Sequence, residues 1–228
     1  MSPILAARSA ATHPEAGVQA GASWLRRETR GPRPSLFLAF TTASLSGLVV
    51  LLHALGWVTL TYAVRVLAPL TAFGCIALLV RRRRASEDVL LNRLTAGLLA
   101  GVVGLLAYDL VRVAFLVAHF PFKPFRPIEV YGLLILDRYQ DTALTKAAGW
   151  AFHIWNGLAF ALMYTLSVGR GRLGWALAWS MTLEVAMLAS YPSLFGIIRD
   201  WAFVTVTVTG HTAYGFGLHA IARRAVRW

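Results

Sequence analysis

One cysteine is all the thiol chemistry available to this 228-residue chain. Cys75 lies inside an apolar run, so an intrachain disulfide and a Cys-rich metal site are both excluded, and the residue is expected to pack as a small buried hydrophobe. Charge is nearly as scarce: 14% of residues are Asp, Glu, Lys or Arg, 57% are hydrophobic, and mean hydropathy is +0.61. That balance is a membrane composition and leaves little material for a soluble domain. Also missing are a nucleophile elbow, an HExxH pair and a phosphate-binding loop. A net charge of +12 would suit nucleic acid, but the basic residues are scattered between apolar runs and no recognition fold accompanies them. Nucleic acid is therefore not expected as a partner, and the positive charge reports topology instead.

What is present is a series of apolar runs, each near the ~20 residues that a bilayer-crossing helix needs. The sequence predicts an all-α integral membrane bundle of six spans, at about residues 36–54, 58–80, 94–119, 148–168, 173–191 and 202–222. The last begins with alternating β-branched residues, but a lone strand leaves its backbone unsatisfied in lipid, so a helix is expected there too. Leu55, Gly56 and Trp57 make a turn so short that the first two spans must form an antiparallel hairpin. Trp57 and Tyr62 suit an interfacial aromatic belt, and Pro69 and Gly74 are tolerated kink points in the second span.

Residues 1–35 are rich in Ala, Gly, Ser, Pro and Arg without a sustained apolar period, which predicts a disordered basic arm. Its Arg26-Arg27 pair resembles a twin-arginine export signal, but the segment that follows is too long and apolar for one that is cleaved. Arg81, Arg82, Arg83 and Arg84 directly follow the second span and hold their loop in the cytoplasm, within reach of anionic lipid head groups. With both termini cytoplasmic, the inner segments carry fifteen Arg and no Lys, against seven Lys plus Arg in the spans and outer loops. Residues 120–147 then lie outside. Pro121, Pro124 and Pro127 bar a continuous helix there, and VYGLLILDRYQ is too short to span, so an interfacial or re-entrant segment is expected, or a lid over a site opening outward.

The third span holds the most informative residues. Asp109 and Arg112 sit well inside its apolar run, where an ionised side chain costs ~2.5–3.5 kcal/mol on insertion scales and so faces a partner or a wet cavity. Being three apart, they share a helix side and can pair. Gly97, Gly101 and Gly104 form a small-residue stripe on the same span, a surface for close helix packing or for a partner in a homo-oligomer or larger membrane complex. Measured from the outer ends of their spans, Asp109, Arg112, His153, Asn156, Glu184 and His211 lie about 8–15 Å deep, in one layer contributed by four spans. Tyr191 and Tyr214 are further polar candidates near it. A faint repeat adds to the pattern: Asp109 is followed by His153-x-x-x-Gly157, and Glu184 by His211-x-x-x-Gly215. Such a parallel duplication would bring two acids and two imidazoles around a pseudo-twofold axis.

Three readings follow. The layer can line an outward-facing polar cavity that binds or moves a small ligand or protons, with no enzymatic activity. Asp109, His153, Glu184 and His211 are also a suitable ligand set for zinc, iron or manganese in an enzyme acting on a lipid or amphiphile. Equally, the same groups can pair across helix interfaces and hold a structural bundle together. From about Thr95 to Arg227 the order of features resembles the YagU-like family of bacterial inner-membrane proteins: the glycine-rich AGLLAGVVG, the FHIWNGLAFALMY span, the SYPSLFG break, Gly210-His211 and the closing IARRAVR. The resemblance implies a multi-pass protein of the bacterial inner membrane with an envelope or acid-stress role, and it implies no chemistry.

Overall fold

The computed structural model describes residues 34–84, 88–196, 198 and 200–227, and of these the side chains of 34, 81–84 and 191–195 lie outside the description. All but the end of the expected arm, the four side chains of the Arg81–Arg84 run and the Tyr191 side chain therefore fall outside the described residues. Among the described residues there are seven helices and no strand.

The first two, α1 (Pro34–Ala54) and α2 (Leu60–Arg84), form the hairpin that the short turn dictates. Gly56 sits at φ 69°, a left-handed conformation that glycine adopts without steric cost, and the Trp57 amide returns to the Leu52 carbonyl at 3.1 Å. The next helix, α3 (Asp88–Val117), begins six residues before the predicted span. A short helix, α4 (Arg126–Leu136), follows the proline cluster, with Pro127 in its first turn where a missing N–H costs nothing. It is succeeded by α5 (Ala143–Ser167), α6 (Leu173–Phe195) and α7 (Trp201–Ala225). Thr142 caps α5 through a reciprocal exchange with Thr145, and Asp200 caps α7 by accepting from the Phe203 amide at 2.8 Å. These caps start α5 five residues earlier than hydropathy alone suggested. Pro192 does not end α6, which runs on to Phe195 and stops at Gly196, φ 60°.

Among the described residues, four helices are long and apolar enough to cross a membrane: α1 (Ser35–Ala54), α2 (Leu60–Val80), α3 and α6 (Leu173–Ser190). On α2 and α3 above all, the outward faces carry large apolar side chains such as Phe73, Ile76, Leu106 and Leu110, surface that lipid covers at low cost. The chain is therefore a helical membrane protein in contact with a bilayer. Both α5 and α7 are 25 residues long, as long as α2, but His, Thr, Asn and Gly dilute their apolar character. The dilution has a packing reason: α7 is central, with Phe203, Val206, Gly210, Tyr214, Leu218 and others buried along its length.

The scaffold is α3 packed against both α5 and α7, with α6 on α7 and α4 on α5. Small residues set the spacing. Gly97 and Gly101 lie against Thr165, Leu162 and Leu158 of α5, while Gly104 faces α7, where the Gly104 Cα stands 2.9 Å from the place a Gly217 Cβ would occupy. The α4–α5 contact is tighter still: a Cβ on Gly132 would run into the Thr145 carbonyl, and one on Gly149 into that of Ile128. Thus α4 is docked backbone to backbone, with Ile128, Val130 and Tyr131 buried, rather than lying loose on a surface. At the far end, Asn92 donates to the Ala225 carbonyl at 2.8 Å and Arg93 to that of Leu166 at 2.8 Å, satisfying the last turns of α7 and α5. Cys75 is exposed on α2 and not part of the core, because α2 is a peripheral helix turned largely outward.

Candidate functional site

The charges of α3 are satisfied by a neighbour on another helix as well as by each other. His153, on α5, presents Nε2 to both carboxylate oxygens of Asp109 at 3.1 Å. Since both accept, that nitrogen carries the hydrogen, and Nδ1 of the neutral ring is left bare. Arg112 Nη1 stands 3.6 Å from Asp109 Oδ1, an ion pair without a hydrogen bond. Its Nη2 donates to the Tyr108 hydroxyl at 2.9 Å, and its guanidinium carbon lies 4.3 Å from the centre of the Tyr108 ring. Three residues of one α3 turn, Tyr108, Asp109 and Arg112, are thereby tied together, with His153 of α5 joined through Asp109.

A second acid–imidazole pair joins α6 to α7. Glu184, 2% exposed, has Oε2 at 2.7 Å from His211 Nδ1 and Oε1 at 2.7 Å from the Thr207 hydroxyl, which donates to it. The Thr207 carbonyl is also 3.0 Å from His211 Nδ1. The hydrogen on Nδ1 serves the Thr207 carbonyl, with Glu184 Oε2 at ion-pair distance, so His211 is held through Nδ1 where His153 is held through Nε2. Ser180 fixes the local backbone by donating to the His211 carbonyl. The pairing is what makes Glu184 tolerable, since a buried carboxylate without a partner would be strongly destabilising.

Tyr108 connects the pairs. Its ring meets His211 edge-on at 4.9 Å between centroids and lies 6.0 Å from His153. The faint repeat in the sequence thus corresponds to an acid–imidazole pair within each hairpin, and Tyr108 brings the two pairs into one cluster. They are not held equivalently, because Asp109 takes Nε2 and Glu184 takes Nδ1. Tyr214 does not join this network directly; its hydroxyl donates to the Gly157 carbonyl at 2.7 Å and ties α7 to α5. Asn156, one residue earlier, has a buried Oδ1 with no donor.

The cluster borders a cavity of about 310 Å³. Tyr108, Arg112, His153, Asn156, His211 and Tyr214 all line it. The rest of the wall is largely apolar, which corrects the expectation of a polar cavity: the charged groups consume one another's polarity at one end and leave hydrocarbon elsewhere. Spans 3 to 6 do not enclose it alone. Gly47, Val50, Leu51 and Ala54 of α1 and Pro127, Ile128 and Tyr131 of α4 complete the wall. Along α3 the lining passes from Arg112 through Tyr108 to Leu105, about 10 Å of helix rise. Leu105 would clash with a Cβ on Gly157, and Gly47 rests against the Phe160 ring, so this second end is apolar on three helices.

The expected metal set divides. Each imidazole spends one nitrogen on its own carboxylate, and among the described residues no group of three or more His, Cys, Asp or Glu is placed to hold a metal ion. Sequence reasoning missed Tyr108 and Thr207; each stands four residues before a singled-out residue, Arg112 or His211, on the same helix face. Comparison of the chain with protein-family models, with curated proteins and with solved structures finds no match.

Proposed function

We propose that the chain is a six-span protein of a bacterial inner membrane, similar to the YagU-like proteins, whose intramembrane cavity binds or moves a small ligand without catalysing a reaction on it. The observation that carries this reading is the cavity itself: about 310 Å³, bordered by six helices, with a charged cluster at one end and apolar walls at the other. Ligand sites have this character, mostly apolar with a few convergent polar groups. Six spans are supported by the length of α5 and α7 and by the fact that their polar residues meet protein partners instead of lipid. The arginine asymmetry supports cytoplasmic termini, with the charged end of the cavity in the outer half of the bilayer. The Arg81–Arg84 run then faces the anionic inner leaflet.

Ala186 lines the cavity, so Ala186→Trp fills it from the α6 side without touching either acid–imidazole pair. Native mass spectrometry of protein extracted directly from cells should show a small non-covalent adduct on the parent and its loss in Ala186→Trp. An adduct unchanged by that substitution would place the ligand elsewhere, and its absence from the parent would count against a resident ligand.

A further inference from the structure

One group at the charged end of the cavity is under-matched. A guanidinium has five N–H donors. In Arg112, 3% exposed, Nη2 reaches Tyr108, while Nε and Nη1 are buried without a hydrogen-bond acceptor. Around it stand Tyr108 and Asp109 of its own helix, the Phe125 ring at 5.8 Å, and His153 of α5, joined through Asp109. Asp109 is the one anion among them, and its two oxygens are engaged by His153. Glu184 accepts from Thr207 and stands at ion-pair distance from His211; its Oε2 has no hydrogen-bond donor, but Glu184 is not among the residues lining the cavity. Among the residues that line the cavity, the unspent charged hydrogen-bonding capacity is thus that of a cation, and the bare Oδ1 of Asn156 adds an acceptor in the same cavity. Leaving buried donors of a charged group unpaired is costly, and a bidentate acid is the natural match to a guanidinium.

We propose that the cavity takes a single-chain amphiphile with an acidic head, a carboxylic acid or a phosphate monoester. Its oxygens accept from Arg112 Nε and Nη1, a phosphate head that keeps one P–O–H donates it to Asn156 Oδ1, and the alkyl tail lies against Leu105, Val50 and Phe160. This rests on the reading of the cavity as a ligand site and names the class of ligand. A cationic head is disfavoured by Arg112, and neither carboxylate of the cluster lines the cavity. An alcohol offers a neutral acceptor where a charged one is called for.

The test uses the full chain in nanodiscs of zwitterionic lipid, titrated separately with decanoate, decyl phosphate, decanol and decyltrimethylammonium, with bound ligand read by native mass spectrometry. Decanoate or decyl phosphate should bind about tenfold or more tightly than decanol, the scale of one charge-assisted hydrogen bond, and the ammonium more weakly still. Whichever acid binds better identifies the source, free acid or lipid phosphate. Arg112→Gln should abolish the preference while decanol affinity stays within about twofold, and Ala186→Trp should weaken all binding. If Arg112→Gln does not fold, Arg112→Lys, which keeps the charge but not the bidentate fork, takes its place and should lower acid affinity while leaving decanol affinity unchanged. Equal binding of decanol, or stronger binding of the ammonium, overturns the acidic head and leaves the cavity reading intact. If none of the four binds the parent, the cavity reading falls as well.

Discussion

Glu184 is the residue whose environment is most exacting. It is 2% exposed, and beside the Thr207 hydroxyl its carboxylate has one partner, the His211 imidazole 2.7 Å away on the next helix. Removing that partner by His211→Ala leaves a buried carboxylate to protonate or recruit water, and should cost about 3–5 kcal/mol, whereas the double change Glu184→Leu with His211→Leu should restore much of the loss. Thermal unfolding in detergent measures both, and an unaffected His211→Ala would show that Glu184 is neutral and needs no partner. Residues of this kind were legible in the sequence. Asp109, Glu184, His153 and His211 are polar groups in apolar runs, and their cost in lipid announces that something must receive them. Which group receives which was less legible, and Tyr108, at the junction of the two pairs, was invisible because an aromatic residue in a membrane span carries no such cost.

Among the elements, α4 departs furthest from its sequence. Eleven residues are too few to span, and the run reads equally well as an interfacial connector, because amphipathic character tells that a face is covered without telling by what. The answer lies in two glycines, one on α4 and one on α5. The Gly132 backbone abuts the Thr145 carbonyl and Gly149 that of Ile128, and neither carbonyl can swing aside as a side chain would. Gly132→Ala should therefore dislodge α4 from α5. With Ile128→Cys as reporter in a Cys75→Ser background, maleimide labelling should be slow in the Gly132 protein and at least about tenfold faster in Gly132→Ala, since undocking exposes a position 3% exposed when docked. Equal labelling rates would mean that α4 is held by other contacts. For the six long helices existence was readable from apolar length, while the starts of α3 and α5 were not, since these are extended at their amino ends by residues chosen for capping and charge.

At the scale of the molecule, the difference between four strongly apolar helices and six spans is a difference in where residues 168–172 lie. If α5 crosses the bilayer, Gly171 is cytoplasmic while Gln140 is outside; if α5 does not cross, both lie on the same side. A membrane-impermeant maleimide applied to intact cells should label Gln140→Cys and not Gly171→Cys, again in the Cys75→Ser background, and Gly171→Cys only after permeabilisation. Labelling of both in intact cells would reduce the count of spans. Hydropathy alone underrates α5 and α7 because it scores each residue as though it faced lipid, whereas Thr207 and Tyr214 spend their polarity on protein partners.

The cavity wall is made in two ways. On α3 and α7, and on α4 and α5, helices meet backbone to backbone through glycine, so nothing there relaxes by rotating a side chain. On α1 the contact is of another kind, with the Gly47 backbone against the Phe160 ring and Val50 and Leu51 facing the open space. In the proposed ligand site the head is held by the glycine-packed frame alone, while the tail meets Leu105 and Phe160 of that frame together with residues of α1. A lineage could alter the length of chain it accepts by exchanging α1 residues alone, keeping the frame that carries Asp109, Arg112 and the histidines untouched.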